Sequence, residues 1–138
     1  MRGLPGNSIN HLNSFFVASH NTRVFVSGEV DMVSGVGFKA DRWPQGARRD
    51  LMDIRCVVSD LCVLDFDGPE RAVQVRSLHP GVSFEQVQDN TGFPLLKSAQ
   101  LHETAHPTPE QLALIRRLDP HDYRATAIKG NPPGIRTV

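Results

Sequence analysis

The chain has 138 residues, with 15 basic side chains against 15 acidic for a net charge of zero, and 39% of its residues are hydrophobic. That length makes one domain with room for a real core. The charge balance excludes a nucleic acid or an anionic membrane as an electrostatic partner, and no apolar run approaches membrane-spanning length. Met1-Arg2-Gly3-Leu4-Pro5 begins no signal peptide, so a cytoplasmic protein is expected.

Gly3-Leu4-Pro5-Gly6-Asn7-Ser8 reads as a glycine-containing loop that runs into a helix. Asn7 or Ser8 is the expected N-cap, and Ile9, Leu12, Phe15 and Phe16 give a helical apolar stripe ending near His20-Asn21. Backbone N–H groups left free at such a helix start are where an anion or a polarised carbonyl binds. An ordinary turn is the plainer alternative, with His11 a surface or capping residue. Arg23 to Val26 (RVFV) predicts a short, doubly covered parallel strand. The stretch from Gly28 to Arg49 is too long and irregular for a simple connection, and loops of this kind tend to be functional. Within it Gly35, Gly37 and Ala40 fit a G-x-G-x-x-A fingerprint, but Asp41-Arg42-Trp43-Pro44 ends any helix at once and no βαβ unit follows. Trp43 is expected to be a packed loop anchor, with an adenine or phosphate contact as the sharper alternative.

From Arg55 to Phe66 the apolar residues Cys56, Val58, Cys62, Leu64 and Phe66 recur at even positions, with Asp60 the exception. This predicts one long strand, turned by Asp67-Gly68-Pro69-Glu70 into a second strand from Arg71 to Leu78. Cys56 and Cys62 would then lie roughly 20 Å apart on one strand, too far to bridge, as small core residues of a reducing compartment. Ser83 is the expected N-cap of a short helix, with Gln86 completing a capping box. Val82 and Val87 form its hydrophobic staple, and Gly92 closes it.

His102-Glu103-Thr104-Ala105-His106 matches H-E-x-x-H letter for letter. Zinc needs both histidines on one helical face, and Pro107 and Pro109 deny the motif its helix, so no metal is expected. Thr108-Pro109-Glu110-Gln111 opens a final helix with a capping box, and Leu112, Ile115 and Leu118 form its stripe up to Asp119-Pro120. Beyond Asp122 the tail, residues 123–138, is rich in Gly and Pro without periodicity and is expected to be disordered.

The run VVSDLCVLDFDGPERAVQVRSLHPGVSFEQVQDNTGF resembles the C-terminal part of a type I CoA-transferase B (β) subunit. There a strand of the form tDlaVfdf, a hairpin and a helix of the form l.pGvt.e.v...Tg follow one another in this order. The wording is closest to the actinobacterial branch of cholesterol ring-cleaving hydrolase subunits. The likeness reaches back to GLPGNSINH and GEVDMVSGVGF and forward to LALIRRLDP, so residues 1–122 are read as one such domain.

The resemblance implies an α/β fold, with an open, partly parallel sheet, a β-hairpin and flanking helices. It implies an A (α) subunit as partner in a hetero-oligomer, an acyl-CoA thioester as substrate and no cofactor. Family glycine loops face the acyl-CoA site, which makes Gly3, Gly6, Asn7, Ser8, Asn10, Ser34 and Gly35 the candidate substrate-binding residues. No catalytic residue is assigned. The acyl-glutamyl nucleophile of the transferases sits upstream of anything present here, and the ring-cleaving branch carries its principal carboxylate on the A subunit. Glu29, Asp31, Glu70, Glu85, Glu103 and Glu110 read as capping or solvated charges. The family's B subunits are about twice this long, so Met1 is read as a candidate internal start. Two alternatives stay open: a B subunit of a 3-oxoacid or glutaconate-type CoA-transferase, and a non-catalytic half subunit acting as an interaction piece.

Overall fold

The structure is a computed structural model and describes residues 4–127. Five strands form one mixed sheet in the order β1-β2-β3-β4-β5, with ranges Leu12–Val17, Asp53–Ser59, Cys62–Asp65, Gln74–Leu78 and Leu96–Glu103. The outer pairs β1–β2 and β4–β5 are parallel, while β2–β3 and β3–β4 are antiparallel. The helices are α1 (Leu4–Asn10), α2 (Phe84–Asp89), α3 (Pro109–Leu118) and a last turn, α4 (Arg124–Ala127). This is the open, partly parallel α/β sheet with a hairpin and flanking helices that the sequence predicts.

The first helix differs from expectation. It ends at Asn10, and Leu12–Val17 is an edge strand paired with β2. Pro5 sits in the first helical turn, where its missing N–H costs nothing. Asn7 and Ser8 lie inside the helix rather than capping it, and the Ser8 hydroxyl donates back to the Pro5 carbonyl at 2.9 Å. Aromatic and β-branched residues (Phe15, Phe16, Val17) fit a pleated surface, and a sheet neighbour was available. Asn13, Phe15 and Val17 turn inward, leaving Leu12, Ser14 and Phe16 exposed.

RVFV is likewise not a strand. The Asn21 carbonyl accepts from the N–H groups of Val24 and Phe25, and its side chain accepts from Arg23 N at 3.0 Å, which winds the segment into a turn. Phe25 reaches the core from that turn.

The long strand expected from Arg55 to Phe66 is two strands. The chain reverses between Ser59 and Cys62, where the Ser59 hydroxyl accepts from the N–H groups of both Leu61 (3.2 Å) and Cys62 (3.1 Å). Cys56 and Cys62 therefore sit on different strands, β2 and β3, and both are free thiols. The hairpin at Asp67–Glu70 is real, although a 3-10 turn over Pro69–Arg71 delays β4 until Gln74.

Cys62 and Leu64 of β3, Val75 of β4, Val87 of α2 and Leu95 form the buried centre, ringed by Phe25, Val57, Val73, Val82 and Phe84 among others. A fully buried Leu or Val contributes about 1.5–3 kcal/mol, so the β3–β4 hairpin under α2 is the anchor of the domain. Ser83 caps α2 as predicted, its hydroxyl accepting from Gln86 N, with Val82 and Val87 both packed in the core, but the Gln86 side chain does not return the bond that would complete the predicted capping box. Gly92 is needed for a different reason from the one expected. It closes no left-handed cap, but lies where a Cβ would come within 2.7 Å of Phe25 O and Ser27 N.

Thr108 and Gln111 form the full capping box of α3, although none of that helix's residues is buried. Arg124–Ala127 is a helical turn inside the stretch expected to be disordered, and residues 128–138 lie outside the described residues.

Candidate functional site

Three polar or concave places stand out, and the first contains part of the predicted site. α1 lies against the loop from Ser34 to Ala47 and leaves a cleft of about 150 Å³ between them. Pro5 and Ile9 line it from the helix, and Ser34, Val36, Trp43 and Ala47 from the loop. Trp43 is the anchor the sequence suggests, 7% exposed with its indole N–H donating to the Gly37 carbonyl at 3.0 Å. Arg49 stacks its guanidinium over that ring at 5.9 Å.

Of the predicted residues, Ser8, Ser34 and Gly35 come together here. A Cβ on Gly35 would sit 3.7 Å from the Ser8 hydroxyl, itself 3% exposed, while Ser34 is in the cleft wall. The other residues do not join them. Gly6 is exposed with open space around its Cα. Asn10 is exposed and donates its amide back to the Gly6 carbonyl at 3.1 Å. Asn7 is exposed, its carbonyl accepting from His11 N and from the Asn13 amide. Gly3 lies outside the described residues. The glycine loop is thus a short helix whose polar side chains mostly serve its own backbone.

The second place is a wide polar groove of about 520 Å³ on the sheet, lined by Asp65, Gln74, Arg76, Ser98, Gln100 and His102. The H-E-x-x-H stretch borders it: His102 and Glu103 end strand β5, and His106 lies beyond that strand. Among the described residues no three His, Cys, Asp or Glu side chains gather as a metal site.

The third place is buried and was not singled out from the sequence. His20, 4% exposed, holds Ser59 Oγ at 2.9 Å through Nδ1 and Thr91 Oγ1 at 2.9 Å through Nε2. Its backbone N–H donates to Asp60 Oδ1 at 2.7 Å, and Phe25 stacks on the ring at 4.0 Å. Burial pushes the imidazole pKa down, and the Asp60 carboxylate opposes that more weakly. The Cys62 thiol is 3.8 Å from Nδ1, with its own pKa pushed up by burial. A serine next to a histidine suggests an activated nucleophile, but Ser59 Oγ is 2% exposed and already accepts two backbone N–H bonds. The cluster is a structural clamp between the residues after β1, the β2–β3 turn and the end of α2.

Of the acids read as capping or solvated charges, Glu29, Glu85 and Glu110 have partners of that kind. Glu29 pairs with Arg42 at 3.0 Å and Lys39 at 3.8 Å, and Glu85 opens α2 beside Lys97 at 3.9 Å. Backbone N–H groups of the first helical turn lower the carboxyl pKa of Glu85 and Glu110.

No family model matches the chain. A search of known proteins finds the IpdB subunit of the cholesterol ring-cleaving hydrolase of Rhodococcus jostii, 45% identical over 125 residues. That alignment covers 90% of this chain and 49% of the relative. The crystal structure of Rhodococcus jostii IpdAB superposes with a TM-score of 0.81 at 43% identity, over 93% of this chain and 51% of that one. In sequence the chain is similar to that ring-cleaving subunit, and its fold is shared with a CoA-transferase. Glutaconate coenzyme A-transferase of Acidaminococcus fermentans aligns at 27% identity with a TM-score of 0.65, over 83% of this chain and 44% of that one. The chain spans about half the length of the relatives it matches. No helix among its described residues is long and apolar enough to cross a membrane.

Proposed function

We propose that this chain is part of the B subunit of a two-subunit enzyme acting on acyl-CoA thioesters, of the kind that opens the last carbocyclic ring in steroid breakdown. The observation that carries this is 45% identity to a ring-cleaving hydrolase subunit across nine-tenths of the chain. The partner is an A-type subunit, the compartment is the cytoplasm, and acyl-CoA enters as substrate with no cofactor.

In this reading the chain binds and orients, and the catalytic carboxylate comes from the partner. Its own acids support the division, since Glu29, Glu85 and Glu110 are engaged in ion pairs or helix starts. Ser8, Ser34 and Gly35 edge the acyl-group site, with Gly6, Asn7 and Asn10 along its helix and Gly3 proposed with them from the sequence alone. Attack on an acyl-CoA or an adjacent carbon–carbon bond needs donors aimed at the developing oxyanion, and a wall held by Pro5 and Trp43 keeps such geometry fixed.

The likeness to glutaconate coenzyme A-transferase supports a second reading, transfer of CoA between acids. The test is co-expression of the chain with an A-type subunit, then incubation of the copurified complex with a carbocyclic acyl-CoA. Gain of one water by the substrate supports the hydrolase. Movement of CoA to an added carboxylic acid supports the transferase. A complex that forms but neither binds nor converts CoA thioesters leaves the chain as an interaction piece, and failure to form any complex overturns the proposal.

A further inference from the structure

We infer that the polar groove on the sheet is a binding site for a short zwitterion of the amino-acid class, its ammonium group taken by Asp65 and its carboxylate by Arg76. The observation that carries this is the state of Asp65. It is 5% exposed, yet it makes no ion pair among the described residues. Its Oδ1 accepts from Asp67 N at 3.1 Å, which leaves Oδ2 for a donor arriving from the groove that Asp65 lines. A buried carboxylate is costly unless a cation or several donors neutralise it. The cations on neighbouring stretches are committed elsewhere. Lys97 turns to Glu85 at 3.9 Å and over the Phe84 ring at 4.3 Å, and Arg71 to Asp67 at 3.8 Å and over the Phe38 ring at 5.5 Å.

Arg76 is the complementary half. Gln74 lies opposite Asp65 in the β3–β4 pairing, and Arg76 stands two residues further along β4, about 7 Å at strand rise. Both charges line the groove without meeting, since Arg76 makes no ion pair among the described residues either. The far wall comes from an irregularity in β5. Val75 registers with Lys97 and Ser77 with His102, so β5 advances five positions where β4 advances two, and residues 98–101 bow out of the ladder. The bow is braced from within. Ser98 Oγ accepts from Gln100 N at 3.2 Å, and the Gln100 carbonyl accepts from His102 Nδ1 at 2.9 Å, which leaves Nε2 of the neutral ring as an acceptor. The resulting space, about 520 Å³, is of the size that holds a small organic ligand, and Ala99 is its one apolar lining residue. An apolar guest has nothing to meet there, whereas a molecule with a cation at one end and an anion at the other meets both.

The experiment is isothermal titration calorimetry of the full chain with 4-aminobutyrate, against butylamine and butyrate, which carry one of its two charges each. The expected result is saturable binding of 4-aminobutyrate with a Kd on the order of 1 mM, and binding at least about tenfold weaker for either analogue. Asp65→Asn keeps an acceptor for Asp67 N but removes the charge, and should weaken 4-aminobutyrate at least about tenfold while the melt stays cooperative. Arg76→Gln changes an exposed side chain and keeps the test decisive if the first variant misfolds. It should bring 4-aminobutyrate down to the level of butylamine and leave butylamine itself unchanged. Absence of saturable binding overturns the inference, and so does equal affinity of the wild type for 4-aminobutyrate and butylamine, or unchanged binding in either folded variant. No CoA thioester or A-type subunit enters this test, so its failure leaves the proposed function standing.

Discussion

Gly92→Ala tests whether the turn from His20 to Ser27 is locked onto the end of α2. Gly92 N donates to Phe25 O at 2.7 Å, and an added Cβ would lie 2.7 Å from both Phe25 O and Ser27 N, about 0.7 Å short of ordinary contact. Both obstacles are backbone, so no side chain can rotate away. Forcing a methyl into such packing costs about 1–3 kcal/mol, and stretching the Gly92 hydrogen bond adds about 1 kcal/mol. The stiffer unfolded chain returns about 0.4–1 kcal/mol. The expected loss is therefore about 2 kcal/mol, or about 6 °C in Tm for a domain of this size. Urea titration followed by circular dichroism measures it, with the slope unchanged. Gly6→Ala is the internal control, since nothing lies within 4 Å of the new methyl and the residue is inside a helix. It should stabilise by about 0.5–1 kcal/mol. A Gly92→Ala protein within about 0.5 kcal/mol of wild type would refute the locked-turn argument.

Three further outcomes are expected. His20 is buried with its pKa lowered below the unfolded value near 6.5, so the unfolded chain binds the extra proton first. Stability should be flat above about pH 6.5 and fall as pH drops from there to the folded pKa, and His20→Asn should flatten that slope in melts recorded across the range. Thr108→Ala removes a cap worth about 1 kcal/mol, but α3 buries none of its residues, so faster amide exchange over residues 109–118 should accompany a nearly unchanged global melt. Leu12 and Phe16, the latter 58% exposed, lie on the edge strand β1, whose outer side meets no strand among the described residues and carries no proline or lysine to blunt it. Light scattering should find the chain associated when alone, with Phe16→Lys reducing that association. A concentration-independent monomer for wild type would refute it.

The parts of the fold that could be read from the sequence are those specified by neighbours within a few residues. Ser83 and Thr108 announce α2 and α3 because a cap acts on an N–H three residues away. The β1 error has the opposite origin. Ile9, Leu12, Phe15 and Phe16 satisfy a helical period, and only the parallel pairing with β2, some forty residues later, selects the strand. Asp60 marks the missed turn, since the one polar residue breaking an apolar alternation sits where the chain reverses. In the cleft, glycine and serine content pointed to two segments that do meet in the fold, yet the approach of Ser8 to Gly35 and the separation of Asn7 and Asn10 from them depend on how α1 rests on a loop with little regular structure. The clamp was invisible for the same reason, its contacts spanning 39 and 71 residues.

With both imidazoles neutral, the hydrogen bonds around that clamp fit one another and tie the two halves of the sheet together. His79 Nε2 faces the Ser59 carbonyl at 2.9 Å, which can only accept, so this nitrogen carries the proton and Nδ1 accepts from Thr104, whose own oxygen takes the Ser77 hydroxyl at 2.8 Å. On the other side Thr91 donates to the Val87 carbonyl at 2.8 Å, so it must accept from His20 Nε2–H. The bare Nδ1 of His20 then takes the single Ser59 proton, which otherwise would go to the Cys62 carbonyl at 3.2 Å. Ser59 is thus the joint between a chain of bonds from β4 and β5 and another from α2. A protonated His20 would turn the Ser59 hydroxyl toward Cys62 without breaking the joint, so acid acts on the clamp through the cost of burying charge rather than through lost hydrogen bonds. This is how a sheet with few fully buried apolar side chains holds the end of β1 in place, and with it the α1 wall of the cleft at that strand's other end.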